Sequence, residues 1–131
     1  MLGVIVENVS LGLAMCAERV ALFAAIADGV YRFEDRMDDD GQGNRDIPLR
    51  VCVRVRQGRI EVDFAGSAGQ VSGNINCPLS VAAAAVYYVF RCLMPPQTPA
   101  CAGSFRPIRL RAPGGSLLNA RRPAAVALRR A

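Results

Sequence analysis

Between residues 51 and 64 the chain alternates apolar and polar side chains, interrupted only at Gln57-Gly58. Val51, Val53 and Val55 interleave with Cys52, Arg54 and Arg56, and Ile60, Val62 and Phe64 interleave with Arg59, Glu61 and Asp63. A period of two is that of a strand with one covered face. A two-residue turn at Gln57-Gly58 sets the register: Val55 opposite Ile60, Val53 opposite Val62, and Arg54 opposite Glu61. A slip of one residue would turn every Val to water. The pattern therefore predicts a hairpin over 50–65 with an apolar face that other parts of the chain must cover.

The remaining elements follow from breakers and caps. Leu11 to Ala27 is nearly breaker-free and rich in Ala and Leu, with Ser10 placed to cap it and Asp28-Gly29 to stop it, predicting a helix near 11–27. Val30 to Asp35 alternates as a strand, and Asp38 to Asn44, with adjacent carboxylates and two Gly, predicts a loop. A second helix is expected near 80–94, capped by Ser80 and ended by Pro95-Pro96. Residues 106–111 alternate again before Pro113-Gly114-Gly115 turns the chain. The fold class is α+β, built on antiparallel strands.

Composition removes whole classes of chemistry. There is no His, and all 16 basic residues are Arg. No Ser-His-Asp or Cys-His pair can form within the chain, and no Lys can form a Schiff base or complete a phosphate-binding GxxxxGK[ST] loop. Twelve Arg against Glu61 and Asp63 fall after residue 46, while residues 28–46 hold seven acids and three Arg. The basic half lacks interleaved aromatics, so no nucleic-acid partner is expected. Five Cys without CxxC spacing are expected to be reduced, buried thiols of a cytoplasmic protein. The longest apolar run, Val81 to Phe90, is too short for a bilayer, and no membrane association is expected.

Polar residues concentrate in three places. Asp38, Asp39 and Asp40 could offer hard oxygen ligands to a divalent metal, or simply form a solvated turn. The loop from Gly66 to Pro78 contains Asn74 and Asn76, whose amides each present a donor and an acceptor, suited to a cyclic amide or ureide. The alternative is that both Asn only hold the backbone in its turn. Arg106 and Asn119 lie in the other breaker-rich segments, where Arg106 could clamp a carboxylate.

Three strings, in this order and spacing, resemble the hydantoinase B/5-oxoprolinase family of N-methylhydantoinase B-type subunits. They are DGVYRFEDRMDDDG (Asp28 to Gly41), VDFAGSAGQVSGNINCPLSVAAAAVYYVFRCLMPP (Val62 to Pro96) and AGSFRPIRLRAPGGSLLNARRPAAVA (Ala102 to Ala127). The resemblance covers about residues 17–127. Members run to several hundred residues, so 1–131 is expected to be a single partial domain, an internal slice of such a subunit. The resemblance implies part of an ATP-dependent hydrolase opening a small cyclic amide, hydantoin or 5-oxoproline, within a hetero-oligomer. ATP would be handled by a hydantoinase A-type subunit, and the chain by itself is expected to bind no cofactor. A divalent metal belongs to the full-length family, whose liganding histidines lie upstream of the matched stretch. Asp38, Asp39, Asp40, Asn74, Asn76, Arg106 and Asn119 are the polar positions that match the family's recurring strings, and the resemblance implies that they form the pocket. Met1 to about Met15 departs from the family. After Ala127 the family's Asn-Val-Glu-Thr-like continuation is replaced by Leu128-Arg129-Arg130-Ala131. The expectation is a truncated chain, inactive alone. Alternatives are a fragment of an acetone or acetophenone carboxylase-type enzyme, or a non-catalytic remnant or assembly module.

Overall fold

The computed structural model describes residues 27–126. Four strands form one sheet in the order β1-β2-β3-β4, with β1 at Gly29–Asp39, β2 at Arg45–Arg56, β3 at Arg59–Asp63 and β4 at Ile108–Arg111. One helix, α1 at Leu79–Leu93, and a 3-10 turn at Ala102–Phe105 lie between β3 and β4. The predicted α+β class is what the chain adopts. The predicted helix near 11–27 lies outside the described residues.

The β2–β3 hairpin has the register that alternation dictates, with Val53 opposite Val62, Arg54 opposite Glu61 and Val55 opposite Ile60. Its turn uses Gln57 at φ 49° and Gly58 at φ 74°. Two consecutive left-handed residues match the right-handed strand twist, which is why so short a turn closes the hairpin. The Asp28 carboxylate accepts the Gln57 N–H at 2.8 Å and ties the start of β1 to this turn.

Three features differ from the sequence reading. First, β1 runs on through Asp38 and Asp39, because β2 starts at Arg45 and the pairing continues to Asp39 opposite Arg45. Cross-strand hydrogen bonds outweigh the weak intrinsic preference of Asp for turns. Second, α1 begins at Leu79 with Pro78 as its cap residue and no side-chain cap bond, so Ser80 lies inside the helix. Proline's fixed φ suits this boundary, and its carbonyl accepts the Val81 and Ala82 N–H groups. Third, β4 joins β3 in parallel, Ile60 beside Ile108 and Asp63 beside Arg111. The sheet is therefore mixed. A parallel neighbour needs a crossover, which α1 supplies.

The core lies between α1 and one sheet face. Val55, Ile60, Val62 and Ile108 from the sheet pack with Val86 and Met94, and Ile60 is only 1% accessible. The Tyr87 and Phe105 rings stack beside them at 4.8 Å. Most of the outward face of α1 is uncovered, Tyr88 being 70% accessible. No helix among the described residues is long and apolar enough to cross a membrane.

Candidate functional site

β3 pairs only with Cys52 to Arg56 of β2. Along the earlier part of β2 a loop takes over. The Ala68 N–H binds the Pro48 carbonyl at 2.9 Å, while the Ser67 hydroxyl accepts the Arg50 N–H and donates to the Arg50 carbonyl, both at 2.9 Å. A side chain here satisfies backbone groups that a strand would otherwise pair. This seats the glycine-rich loop 66–78 against the end of the β1–β2 hairpin.

Asp40 and Asn76 then clamp that loop. Asp40 is 4% accessible, and its carboxylate accepts N–H bonds from Gln42, from both Asn44 nitrogens and, 33 residues away, from Gly73 at 3.0 Å. The Asn44 amide first, then the Gln42, Gly73 and Asn44 backbone N–H groups, bring its carboxyl down to about 2. Asn76, also 4% accessible, accepts the Val71 N–H at 2.8 Å and donates to the carbonyls of Val71, Gly73 and Ala125. Gly73 is thus held by Asp40 on its N–H side and Asn76 on its carbonyl side.

The segment 112–121 packs onto the same loop. Leu117 N–H binds the Ala68 carbonyl, Cys77 N–H binds the Leu117 carbonyl, and Ala120 N–H binds the Cys77 carbonyl. Asn119 folds back to donate to the Ala112 carbonyl at 3.0 Å. Burial pushes the Cys77 thiol up, so at neutral pH it is a thiol and not a nucleophile.

Asp40 and Asn76 thus meet at Gly73 with their side-chain polar atoms engaged, and Asn119, on the segment packed against this loop, donates to backbone. Asn74 is exposed between them and makes no hydrogen bond among the described residues. Arg106 is elsewhere, in an open depression of about 350 Å³ with Tyr87 and Phe105. Asp38 and Asp39 are exposed, and the Asp39 carboxylate accepts the Gly41 N–H at 2.8 Å. Among the described residues no three carboxylate, thiol or imidazole groups converge on a metal position. Both Asp40 oxygens already face N–H donors, so the acidic turn as arranged does not fit a divalent ion. Of the described cysteines, Cys92 and Cys101 are exposed and Cys52 and Cys77 half-buried, none of them in a disulfide, against the expectation of buried thiols.

The sequence profile of the hydantoinase B/oxoprolinase family matches residues 14–131. The chain belongs to the hydantoinase B/oxoprolinase family. It is 37% identical to the 5-oxoprolinase of Saccharomyces cerevisiae over 93 residues, which are 71% of this chain and 7% of that protein. Identity to 5-oxoprolinase 1 of Arabidopsis thaliana is 38%, over the same shares. The crystal structure of the ATP-dependent caprolactamase from Pseudomonas jessenii superposes with a TM-score of 0.71 at 26% identity, covering 84% of this chain and 19% of the caprolactamase chain. The chain thus spans under a tenth of the length of these 5-oxoprolinases and about a fifth of the caprolactamase chain.

Within this hydantoinase B/oxoprolinase chain, sequence reasoning missed four residues that build the site: Asn44, Ser67, Gln70 and Gly73. Gln70 accepts the Arg121 N–H at 2.9 Å, tying the two loops together again. The spacing of Asp40 and Asn44 was a usable signal, since a short acidic side chain can cap N–H groups two and four residues on. The reach from Asp40 to Gly73 had no local signature.

A second polar surface is the sheet face opposite α1. A shallow depression of about 550 Å³ there includes Arg32, Glu34, Arg50, Cys52, Arg54 and Asp63. Arg54 bridges Glu61 at 3.2 Å and Asp63 at 3.4 Å, and Arg50 bridges Glu34 at 2.8 Å. The Arg50 guanidinium holds the Glu34 carboxyl below its ordinary range. The Arg54–Glu61 and Arg50–Glu34 pairs are exposed and add little stability, while the Asp63 carboxylate is buried.

Proposed function

We propose that this chain forms part of an ATP-dependent cyclic amide hydrolase, acting in a hetero-oligomer with an ATP-binding hydantoinase A-type subunit. The observation that supports it most is the superposition on the ATP-dependent caprolactamase, which covers 84% of this chain. The 5-oxoprolinase relatives point to the same chemistry on a five-membered lactam. On this reading the assembly is cytoplasmic, where ATP is supplied.

A lactam or ureide carbonyl is a poor electrophile. Phosphorylating its oxygen makes a leaving group, after which water can attack. The chain's own residues supply positioning. Asp40, Asn76 and Asn119 hold the loops, and Asn74, exposed between them, offers one donor and one acceptor to the amide edge of the substrate. Arg106 lies apart from them, in the depression with Tyr87 and Phe105. No step passes through a metal held by Asp38, Asp39 or Asp40. On this reading the chain supplies positioning and is inactive without the rest of the assembly.

The test is gel filtration of the chain with a hydantoinase A-type subunit, followed by phosphate release from ATP with hydantoin, 5-oxoproline or caprolactam. Co-elution and amide-dependent ATP hydrolysis support the reading, and Asn74→Ala then raises KM about tenfold while leaving co-elution intact. Co-elution without hydrolysis overturns the enzymatic reading in favour of an assembly module. Absence of both overturns the partner as well.

A further inference from the structure

β1 is an edge strand, and its side away from β2 has no strand beside it among the described residues. An eleven-residue edge is a template for another strand. It also carries uncovered apolar side chains: Phe33 is 66% accessible and Val30 50%. Phe33 shares a face with its cross-strand neighbour Val51, which packs against the core, yet among the described residues Phe33 itself stays 66% accessible.

We propose that this edge pairs with the same edge of a second copy, antiparallel about a two-fold axis at Phe33. In that register Phe33 meets Phe33 of the second copy, Arg32 meets Glu34, Tyr31 meets Asp35 and Val30 meets Arg36. Over the stretch Gly29 to Met37, opposite charges face each other twice and like charges never do. The alternatives are worse. An axis at residue 32, 34, 35 or 36 sets an Arg, Glu, Asp or Arg against itself. An axis at Tyr31 avoids this but places Phe33 opposite Gly29 and leaves Arg32 facing Val30.

The side chains are already arranged for it. Arg32 has no carboxylate partner among the described residues, whereas Arg50 at 2.8 Å and Arg36 at 3.3 Å hold Glu34 in place on the same face. Because the strand is its own complement, the contact is isologous and closes on two copies. It joins two four-stranded sheets into one of eight strands and covers both Phe33 rings.

Sedimentation velocity on the full chain across the micromolar range tests this, with circular dichroism melts confirming that each variant folds. The expected result is a dimer. Arg32→Glu or Glu34→Arg, alone, creates two like-charge pairs and raises the dimer Kd by at least about tenfold. Mixing the two variants restores a heterodimer, since each introduced charge then faces its opposite. Phe33→Asp also weakens the dimer, independently of those charges. A monomer at every concentration, as when other residues of the chain cover the edge, overturns the proposal. So does a dimer indifferent to the charge reversals, or a mixture that fails to associate.

Discussion

The carboxylate of Asp40 accepts the Gly73 N–H at 3.0 Å, and the two backbones approach so closely that residue 73 has no room for a side chain. A Cβ on Gly73 would lie 2.6 Å from the Asp40 Cβ and 2.9 Å from its carbonyl carbon, with the carbonyl oxygen nearer still. Hydrogen bond and close approach require each other. The acidic turn and the glycine-rich loop are docked through this contact and through the Asn44 amide, which donates to the Ser72 hydroxyl at 3.3 Å.

Gly73→Ala forces those backbones apart. The expected loss is about 2–3 kcal/mol, read as a lower urea midpoint with an unchanged m-value. A change under about 0.5 kcal/mol would show that the loops are not docked this way in solution.

Asp40 makes stability depend on acid. Its folded pKa of about 2 lies below its ordinary 3.8, so its contribution is fully present above pH 4 and is lost as pH falls through 2. Urea midpoints taken between pH 7 and pH 2 should fall in the wild type over this window. Asp40→Asn should start lower at pH 7 and fall less.

Asn76 cannot become Asp. The Asn76 amide nitrogen donates to the Val71, Gly73 and Ala125 carbonyls, at 2.7, 3.0 and 2.7 Å, and a carboxylate oxygen there would face three acceptors. Asn76→Asp is expected to cost about 3 kcal/mol or more at pH 7, and Asn76→Ala about 1–3 kcal/mol. Thermal melts of both variants check the order. Equal losses would mean that the amide is not acting as the donor.

Gln57 holds a left-handed backbone, φ 49°, that Asn adopts more readily. Gln57→Asn should therefore stabilise the hairpin by roughly 0.5 kcal/mol, with the Asp28 bond retained because it uses the backbone N–H. A melting temperature below that of the wild type would show that the turn has another geometry.

The sequence by itself determined the register of the β2–β3 hairpin, since a period of two with a two-residue turn permits one register that buries Val55, Ile60 and Val62 and packs Val53 against them. It also located α1 and β4 to within a residue or two, because Pro and Gly mark ends locally. Asn74 and Asn76 were visible as amides in one loop, but their division of labour was not: Asn76 is engaged by three backbone carbonyls and Asn74 by nothing among the described residues. Only the tertiary structure decided that Asp38 and Asp39 extend a strand, that β4 lies parallel to β3, and that Asp40 reaches Gly73. Each depends on a partner far along the chain. Local alternation reports which face a residue shows, while the choice of distant neighbour follows from where backbone hydrogen bonds can be completed.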